Sequence, residues 1–342
     1  MIGIVGATGV VGKELLTLLV NNGHTNLKLC ASERSIGTKI SINENNSYII
    51  DELCESFFDN MTVSFFCTDN DISQKWANIA INKGVIVIDN SSAFRLDDNI
   101  SLIIPEINSH LLQNKNHKLI ANPNCSTIIL CMALFPLQKL SKIVRVDVST
   151  YQAVSGAGQA GIDELSNQTL EFVISGLAIA SNKNYPPTEY TTKVFKSQIL
   201  LNCFSHNSSI DLESGYNGEE LKIIQETIKI LDTSIEISAT CVRIPVMRAH
   251  CESVKIVFTD PVDELSIKTC LFNMPGIKLL DDRETNSFPE PLIASGKTDI
   301  FVGRIRRDYF DDSGKTWHMF LCGDQLLKGA AWNALQIFNI IK

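Results

Sequence analysis

Short apolar runs and helix-spaced apolar stretches alternate through the first third of the chain. Ile2–Val5, Leu27–Ala31, Thr62–Cys67 and Val85–Ile88 are too short for helices and read as buried strands. Between them, Val10–Asn21 and Asp71–Lys83 carry apolar residues at helical spacing, the second stopped by Gly84. Leu119-Ile120-Ala121 is a further strand-like run, followed by the helix-like stretch Ile128–Phe135. This βαβ rhythm predicts a doubly wound parallel sheet in an α/β chain.

From about Ile143 the pattern changes. Longer strands are expected at Val144–Gln152, Glu236–Val242, Ser253–Thr259 and Ile300–Arg306, separated by helices at Gly161–Ile174, Glu219–Leu231 and Pro261–Phe272. Val254, Ile256 and Phe258 fall on one face of their strand, which suits a mixed sheet of α+β type with helices on one side. A last helix, Gln325–Ile340, follows Gly323-Asp324 and is expected to return to the first domain, because chain ends often pack together. The expected division is a first domain over 1–125, completed by about 324–342, and a second over 126–323. Ser181–Asn207, polar and holding Pro186-Pro187, is the most loop-like region.

Length agrees with that division, since 342 residues exceed the usual size of a single core. The opening Ile2-Gly3-Ile4-Val5-Gly6 has no basic leader, and no apolar run approaches the roughly 18 residues that cross a bilayer. A cytoplasmic protein is expected, with no membrane partner. Ten cysteines without a CxxC pair or a regular Cys/His spacing argue against a metal site and a disulfide framework. Cys30, Cys67, Cys131 and Cys241 lie in apolar patterns and read as core. The net charge of −8 disfavours nucleic acid and repels anions at long range, so a phosphate-bearing ligand must find its cations locally.

Chemistry concentrates at two junctions. Gly6-Ala7-Thr8-Gly9-Val10-Val11-Gly12 lies between the first strand and the first helix, where glycines let a pyrophosphate approach the amides of the helix N-terminus. In that context GxxGxxG reads as a Rossmann-like dinucleotide turn rather than a structural glycine turn. About 20 residues on, Arg34 and Ser35 favour the 2′-phosphate of NADP, whereas Glu33 is the signal for NAD. The second junction is Asn122-Pro123-Asn124-Cys125-Ser126-Thr127. A thiol there meets the positive end of a helix, which favours thiolate and makes a nucleophile.

The chain resembles the aspartate-semialdehyde dehydrogenases. The matching segments include Gly6 to Gly12, Ala31 to Gly37, Ser91 to Arg95, Asn122 to Thr127, Tyr151 to Gly158, Glu219-Glu220-Leu221-Lys222, Cys241 to Val246, His250, Phe301 to Arg306 and Lys328-Gly329-Ala330-Ala331. The resemblance implies reduction of 4-aspartyl phosphate to aspartate 4-semialdehyde with NADPH through a cysteine thioester, on the route to lysine, threonine and methionine. It also implies at least a homodimer, or a dimer of dimers, formed through the second domain.

Roles follow from the same resemblance. Cys125 would be the nucleophile, His250 the general acid/base, and Gln152 the residue that orients the substrate near the thiol. Arg95, Asn124 and Lys222 would bind phosphate, Arg243 the substrate carboxylate as a bidentate fork, and Glu219 the substrate ammonium. Ser155 and Gly156 would lie along the cofactor, and Gln325 would stand near the nicotinamide amide. Gln325 replaces a more usual Asn, and Ala249 and Cys251 flank His250 where Gly and Ser are commoner. The rival readings are another acyl-phosphate or acyl-CoA reductase on the same scaffold, or a non-catalytic paralogue; Glu219, Lys222 and Arg243 argue against the first, and retention of Cys125, Gln152 and His250 against the second.

Overall fold

The computed structural model describes residues 1–113, 117–174, 190, 192–231 and 234–342. Its first layer is built from β1 (Ile2–Val5), α1 (Val10–Asn21), β2 (Leu27–Cys30), β3 (Lys39–Ser41), β4 (Ser47–Asp51), β5 (Val63–Phe66), α2 (Asn70–Asn82), β6 (Ile86–Asp89), β7 (Ser101–Leu102), α3 (Pro105–Asn108) and β8 (Leu119–Ala121). The sheet order is β3-β4-β2-β1-β5-β6-β8-β7. All neighbours are parallel except the β3/β4 hairpin at one edge. Strand order reverses between β2 and β5 on either side of β1, and open sheets of this kind bind ligands at the carboxyl ends beside such a switch.

The second layer comprises α4 (Cys125–Leu137), β9 (Ile143–Gln152), α5 (Gly158–Ile174), β10 (Phe204–Ser205), α6 (Gly218–Leu231), β11 (Glu236–Arg243), β12 (His250–Phe258), α7 (Glu264–Phe272), β13 (Ile277–Leu279), α8 (Pro291–Ala294), β14 (Ile300–Arg307) and β15 (Thr316–Gly323), before α9 (Trp332–Ile341). Its sheet runs β10-β11-β9-β12-β15-β14-β13 and mixes parallel with antiparallel pairs. Burial alternates along β9, with Val146, Val148, Thr150 and Gln152 buried and Asp147, Ser149 and Tyr151 half-exposed. One face therefore packs on helices while the other is left partly open.

Helix α4 is apolar all round and buried on every side, which marks an internal helix. It packs with Val146, Val254, Ile256 and Leu321 of the second sheet and with Leu102, Ile104 and Ala121 of the first, so one core spans both layers. Burying each such Leu or Ile is worth about 1.5–3 kcal/mol, and Leu134→Ala is expected to cost about 2–5 kcal/mol. Helix α9 closes the other core, where Leu335, Ile337 and Phe338 meet Ile4, Leu15, Leu19 and Phe65. Among the described residues, no helix is long and apolar enough to cross a membrane.

The differences from expectation are local. The helix expected at Gln325–Ile340 is split into a π-turn, Leu327–Ala331, and α9. The helix expected from Pro261 starts at Glu264, where Asp263 accepts the Ser266 amide as its cap. Strands β3, β4, β7, β10, β13 and β15 carried no recognised signal, and five of these are short. Of the loop expected at Ser181–Asn207, residues 181–189 and 191 lie outside the described residues.

Candidate active site

Register sets the chemistry. Parallel pairing places Arg243 of β11 beside Gln152 of β9, and antiparallel pairing places Cys251 of β12 beside Tyr151, so His250 comes level with Gln152. Gly323 of β15 pairs with His250, which brings Gln325 to the same end of the sheet. Arg243, Gln152 and His250 are all buried on the helix-covered face. Strand β8 delivers Cys125 to the same place as the first residue of α4, whose cap is Asn124: its Oδ1 accepts the Ser126 and Thr127 amides at 2.9 and 3.1 Å.

The result is a cavity of about 420 Å³ whose wall includes Cys125, His250, Gln152, Arg95, Asn124, Glu219, Lys222, Arg243, Ser155, Gly156 and Gln325. The structure thus brings together every residue expected for chemistry and substrate binding. A second cavity of about 380 Å³ runs along Gly9, Val10 and Val11 of the glycine turn and shares Val11, Asn90, Ser155 and Gly156 with the first. The two adjoin, one beside the glycine turn and the other beside the thiol.

The turn fits a dinucleotide. Gly6 has φ +84°, and a Cβ there would lie 2.2 Å from the Cys67 carbonyl oxygen. A Cβ on Gly12 would lie 2.2 Å from the Gly6 carbonyl oxygen, so only glycine lets α1 approach β1 this closely. Gly9 caps α1 without a side chain, Thr8 lies beside it in the turn, and no acidic residue occupies the first helical turn; the helix amides are left for an anion. Arg34 and Ser35 lie apart from both cavities, in a short 3-10 turn (Glu33–Ser35) beyond the carboxyl end of β2. Arg34 is exposed and forms no ion pair with a described residue.

A buried hydrogen-bond network holds the cavity wall. Asn124 donates Nδ2–H to Glu219 Oε1 at 2.8 Å, and Gln152 donates Nε2–H to Ser126 Oγ at 3.1 Å and Glu219 Oε1 at 3.3 Å. Lys222 Nζ lies 3.4 Å from Glu219 Oε2. Burial alone would raise the Glu219 pKa, but Lys222 and the Asn124 and Gln152 hydrogen bonds hold it down, to about 2. Arg95 donates to Asn122 O, Asn90 O and Glu226 Oε1, leaving one N–H on each Nη. Arg243 donates Nη1–H to Ala153 O at 2.7 Å and spends Nη2 on His206 Nε2 at 2.7 Å and Asn207 Oδ1 at 3.1 Å.

Burial first, and then the Glu219 charge, outweigh Arg95, the Ser126 amide and Arg243, and the Cys125 thiol is pushed up to about 12, against the thiolate expected at a helix N-terminus. Cys125 is only partly buried and faces the cavity. Gln325 is also more engaged than expected: it donates Nε2–H to Ser155 Oγ and accepts the Ala249 amide, bracing the approach to His250.

Sequence reading missed four site residues. Glu226 pairs with Arg95 at 3.1 Å and accepts the Asn124 amide at 2.6 Å, while His206 caps Arg243. Gly329 of the π-turn packs so closely on α4 that a Cβ would lie 2.8 Å from Cys125 Cβ. Asn90, on the wall of both cavities, follows directly on β6, and the carboxyl-end rule for parallel strands could have found it. Gly329 falls in the matching segment Lys328-Gly329-Ala330-Ala331, but its contact with Cys125 is not written there, and Glu226 and His206 act through partners more than 30 residues away.

Comparison with known proteins agrees with this geometry. The model of the semialdehyde dehydrogenase NAD-binding domain matches residues 1–115, and that of the semialdehyde dehydrogenase dimerisation domain matches 134–328. The chain is 39% identical to the aspartate-semialdehyde dehydrogenase of Bacillus subtilis, over 100% of this chain and 97% of that one. It is 41% identical to that of Helicobacter pylori strain J99, over 98% and 96%. The crystal structure of aspartate semialdehyde dehydrogenase II from Vibrio cholerae superposes with a TM-score of 0.88 at 36% identity, over 99% and 97%, and the same enzyme has been solved complexed with ASA. Likeness that extends along both chains and through both layers reflects common descent, and the chain belongs to the aspartate-semialdehyde dehydrogenase family of oxidoreductases.

Proposed function

We propose that the protein interconverts 4-aspartyl phosphate and L-aspartate 4-semialdehyde plus phosphate, with NADP as its cofactor and Cys125 as nucleophile, in lysine, threonine and methionine biosynthesis. The observation that carries this reading is the pair of adjoining cavities: a thiol, an imidazole, an acid and three cations line one, and a glycine turn without a side-chain cap lines the other. Cys125 attacks the acyl carbon and forms a thioester, while Arg95, Lys222 and the Asn124 carboxamide hold the departing phosphate. Gln152, fixed by Ser126 and Glu219, orients the acyl group over the thiol. His250 serves the proton needs of the reacting oxygen and sulfur. Bound NADPH would supply the hydride that reduces the thioester, held by the Gly6–Gly12 turn, with Arg34 and Ser35 toward the 2′-phosphate.

Glu219 and Arg243 select a free amino acid through its ammonium and carboxylate. A bidentate grip through Arg243 Nη2 requires His206 or Asn207 to give way, so some closure on substrate is part of the reading. The half-exposed face of the second sheet, with Tyr151, Lys255, Val257 and Phe320, is where a second copy of the chain would pack to form a homodimer in the cytoplasm.

The test is reduced-nicotinamide absorbance when the protein is mixed with aspartate semialdehyde, phosphate and NADP. A signal that requires all three, and is weaker with NAD, is the expected result. No signal, or one indifferent to phosphate, overturns the assignment.

A further inference from the structure

Arg95 reaches the cavity from the loop that joins β6 to β7. Three of its five N–H groups are spent on Asn122, Glu226 and Asn90, so two remain for a ligand. Where those two point depends on where the loop holds the Arg95 backbone. The front of the loop is tied to the first layer, the Ser92 amide donating to Asn70 Oδ1 at 2.9 Å. Residues 96–99 are exposed, so side-chain packing does little to fix the rear.

The rear converges instead on Lys229, from the second layer. Its Nζ donates to the carbonyl oxygens of Arg95 at 2.9 Å, Asp97 at 2.6 Å and Ile100 at 3.0 Å. An ammonium has three N–H groups, and all three are used. Three carbonyl dipoles aimed at one point repel one another unless a cation lies there, and charge-assisted hydrogen bonds of this kind are the strong ones. Lys229 shares a face of α6 with Glu219, Lys222 and Glu226, at successive spacings of three, four and three residues. Glu226 receives the Arg95 guanidinium at 3.1 Å, so the same face of one helix grips both ends of that residue.

We propose that Lys229, which does not itself line the cavity, is a positioning residue for Arg95: by gathering the carbonyls of 95, 97 and 100 onto α6 it sets the guanidinium opposite Lys222 and Asn124 for a phosphate. The inference rests on the reaction proposed above, in which Arg95 binds phosphate. Glu226 directs the guanidinium, and Lys229 fixes the backbone from which it extends. Without the ammonium the three carbonyls turn to water and the loop carries Arg95 with it. A displacement of about 1 Å can cost about 10²-fold where a site depends on geometry.

The test is the affinity of the full chain for inorganic phosphate, read by calorimetric titration without turnover. Lys229→Met keeps the stem and loses the donors; it should weaken phosphate by about tenfold or more and leave NADP within about twofold. Arg95→Lys should weaken phosphate by a comparable factor, and adding Lys229→Met to it should cost little more, because Lys229 acts through Arg95. Wild-type phosphate affinity in Lys229→Met, or strictly additive losses in the pair, overturns the proposal. Wild-type affinity in Arg95→Lys, or no phosphate binding by the unmodified chain, overturns it together with the phosphate role of Arg95. If Lys229→Met does not fold, Lys229→Gln takes its place: its shorter arm and two N–H groups cannot serve three carbonyls, and wild-type affinity in that variant refutes the role equally. In turnover, Lys229→Met should raise the KM for phosphate and leave that for aspartate semialdehyde within about twofold; equal rises would mean a general loss of structure and sink the positioning role. Phosphate affinity that depends on Lys229 in a protein that fails to turn over aspartate semialdehyde would overturn the assigned reaction and uphold this inference.

Discussion

Gln325 Oε1 accepts the amide of Ala249 at 2.8 Å, and Ala249 sits at φ +73°, the left-handed region where a Cβ is strained. Gln325 and Ala249 are therefore in contact, one restraining the other directly before His250. Ala→Gly usually costs about 0.5–1 kcal/mol. Here Ala249→Gly is expected to be neutral or stabilising by up to about 1 kcal/mol in a denaturant midpoint. Gln325→Asn shortens the arm and should cost stability and rate, with a smaller loss when Ala249 is already Gly. Strict additivity in that double-mutant cycle would mean the two positions are not coupled.

Cys125→Ala is expected to abolish turnover while leaving NADP affinity within a few-fold, because the thiol lines one cavity and the glycine turn the other. Turnover near wild type in this variant would remove the covalent route. Cys203 is the exposed cysteine, so general alkylating reagents should reach it before Cys125.

Arg34→Ala should weaken NADPH by about 1.5–3 kcal/mol, the worth of hydrogen bonds to a charged group, and leave NADH unaffected. Calorimetric titration of both cofactors reads the difference. Equal losses would transfer discrimination to Glu33, whose carboxylate lies on the same short turn.

On the proposed reading Glu219 takes the substrate ammonium and Arg243 its carboxylate, so N-acetyl-glutamate semialdehyde should be rejected by roughly 10⁴-fold in kcat/KM relative to aspartate semialdehyde. Glu219→Gln should narrow that ratio. Comparable values for the two aldehydes with the wild-type protein would remove the Glu219 assignment.

Acid should destabilise the fold in two stages. His206 and His250 sit at about 4 and about 3, below their ordinary 6.5, because burial disfavours the charged ring; the unfolded chain takes up protons first, and stability declines as pH falls from 6.5. Glu219 at about 2 contributes stability above its ordinary 4.5 that is lost between there and about 2. His250→Gln should flatten the upper limb of the Tm profile between about pH 6.5 and 4. An identical slope in that variant would locate the titration elsewhere.

Much of the site was legible because each residue carries a local reason. The glycines of 6–12 are required by contacts across a single turn, Cys125 follows a cap that its own neighbours satisfy, and Gln152 ends an expected strand; Arg243 and His250 lie just outside the strands expected at Glu236–Val242 and Ser253–Thr259 and were singled out by the family resemblance. Glu226 and His206 were illegible for the opposite reason: each matters only because folding sets it against Arg95 or Arg243, just as the part Gly329 plays beside Cys125 is set by folding and not by the motif that holds it. At Cys125 the helix terminus that favours a thiolate is written in sequence, whereas the desolvation that opposes it depends on everything packed around the thiol.

Lys328 shows how far that closure reaches. It is wholly buried in the π-turn, bound to Glu106 Oε2 at 2.6 Å, Asn333 Oδ1 at 2.9 Å and Gln336 Oε1 at 2.8 Å, and it ties α3 to α9. Helix α9 supplies Leu335, Ile337 and Phe338 to a core whose other walls, Ile4, Leu15, Leu19 and Phe65, are made some 270 residues earlier. During synthesis the sheet that begins at Ile2 therefore keeps an apolar flank uncovered until α9 has been made. Deleting even the last two turns of α9 is expected to give insoluble product rather than a smaller folded domain.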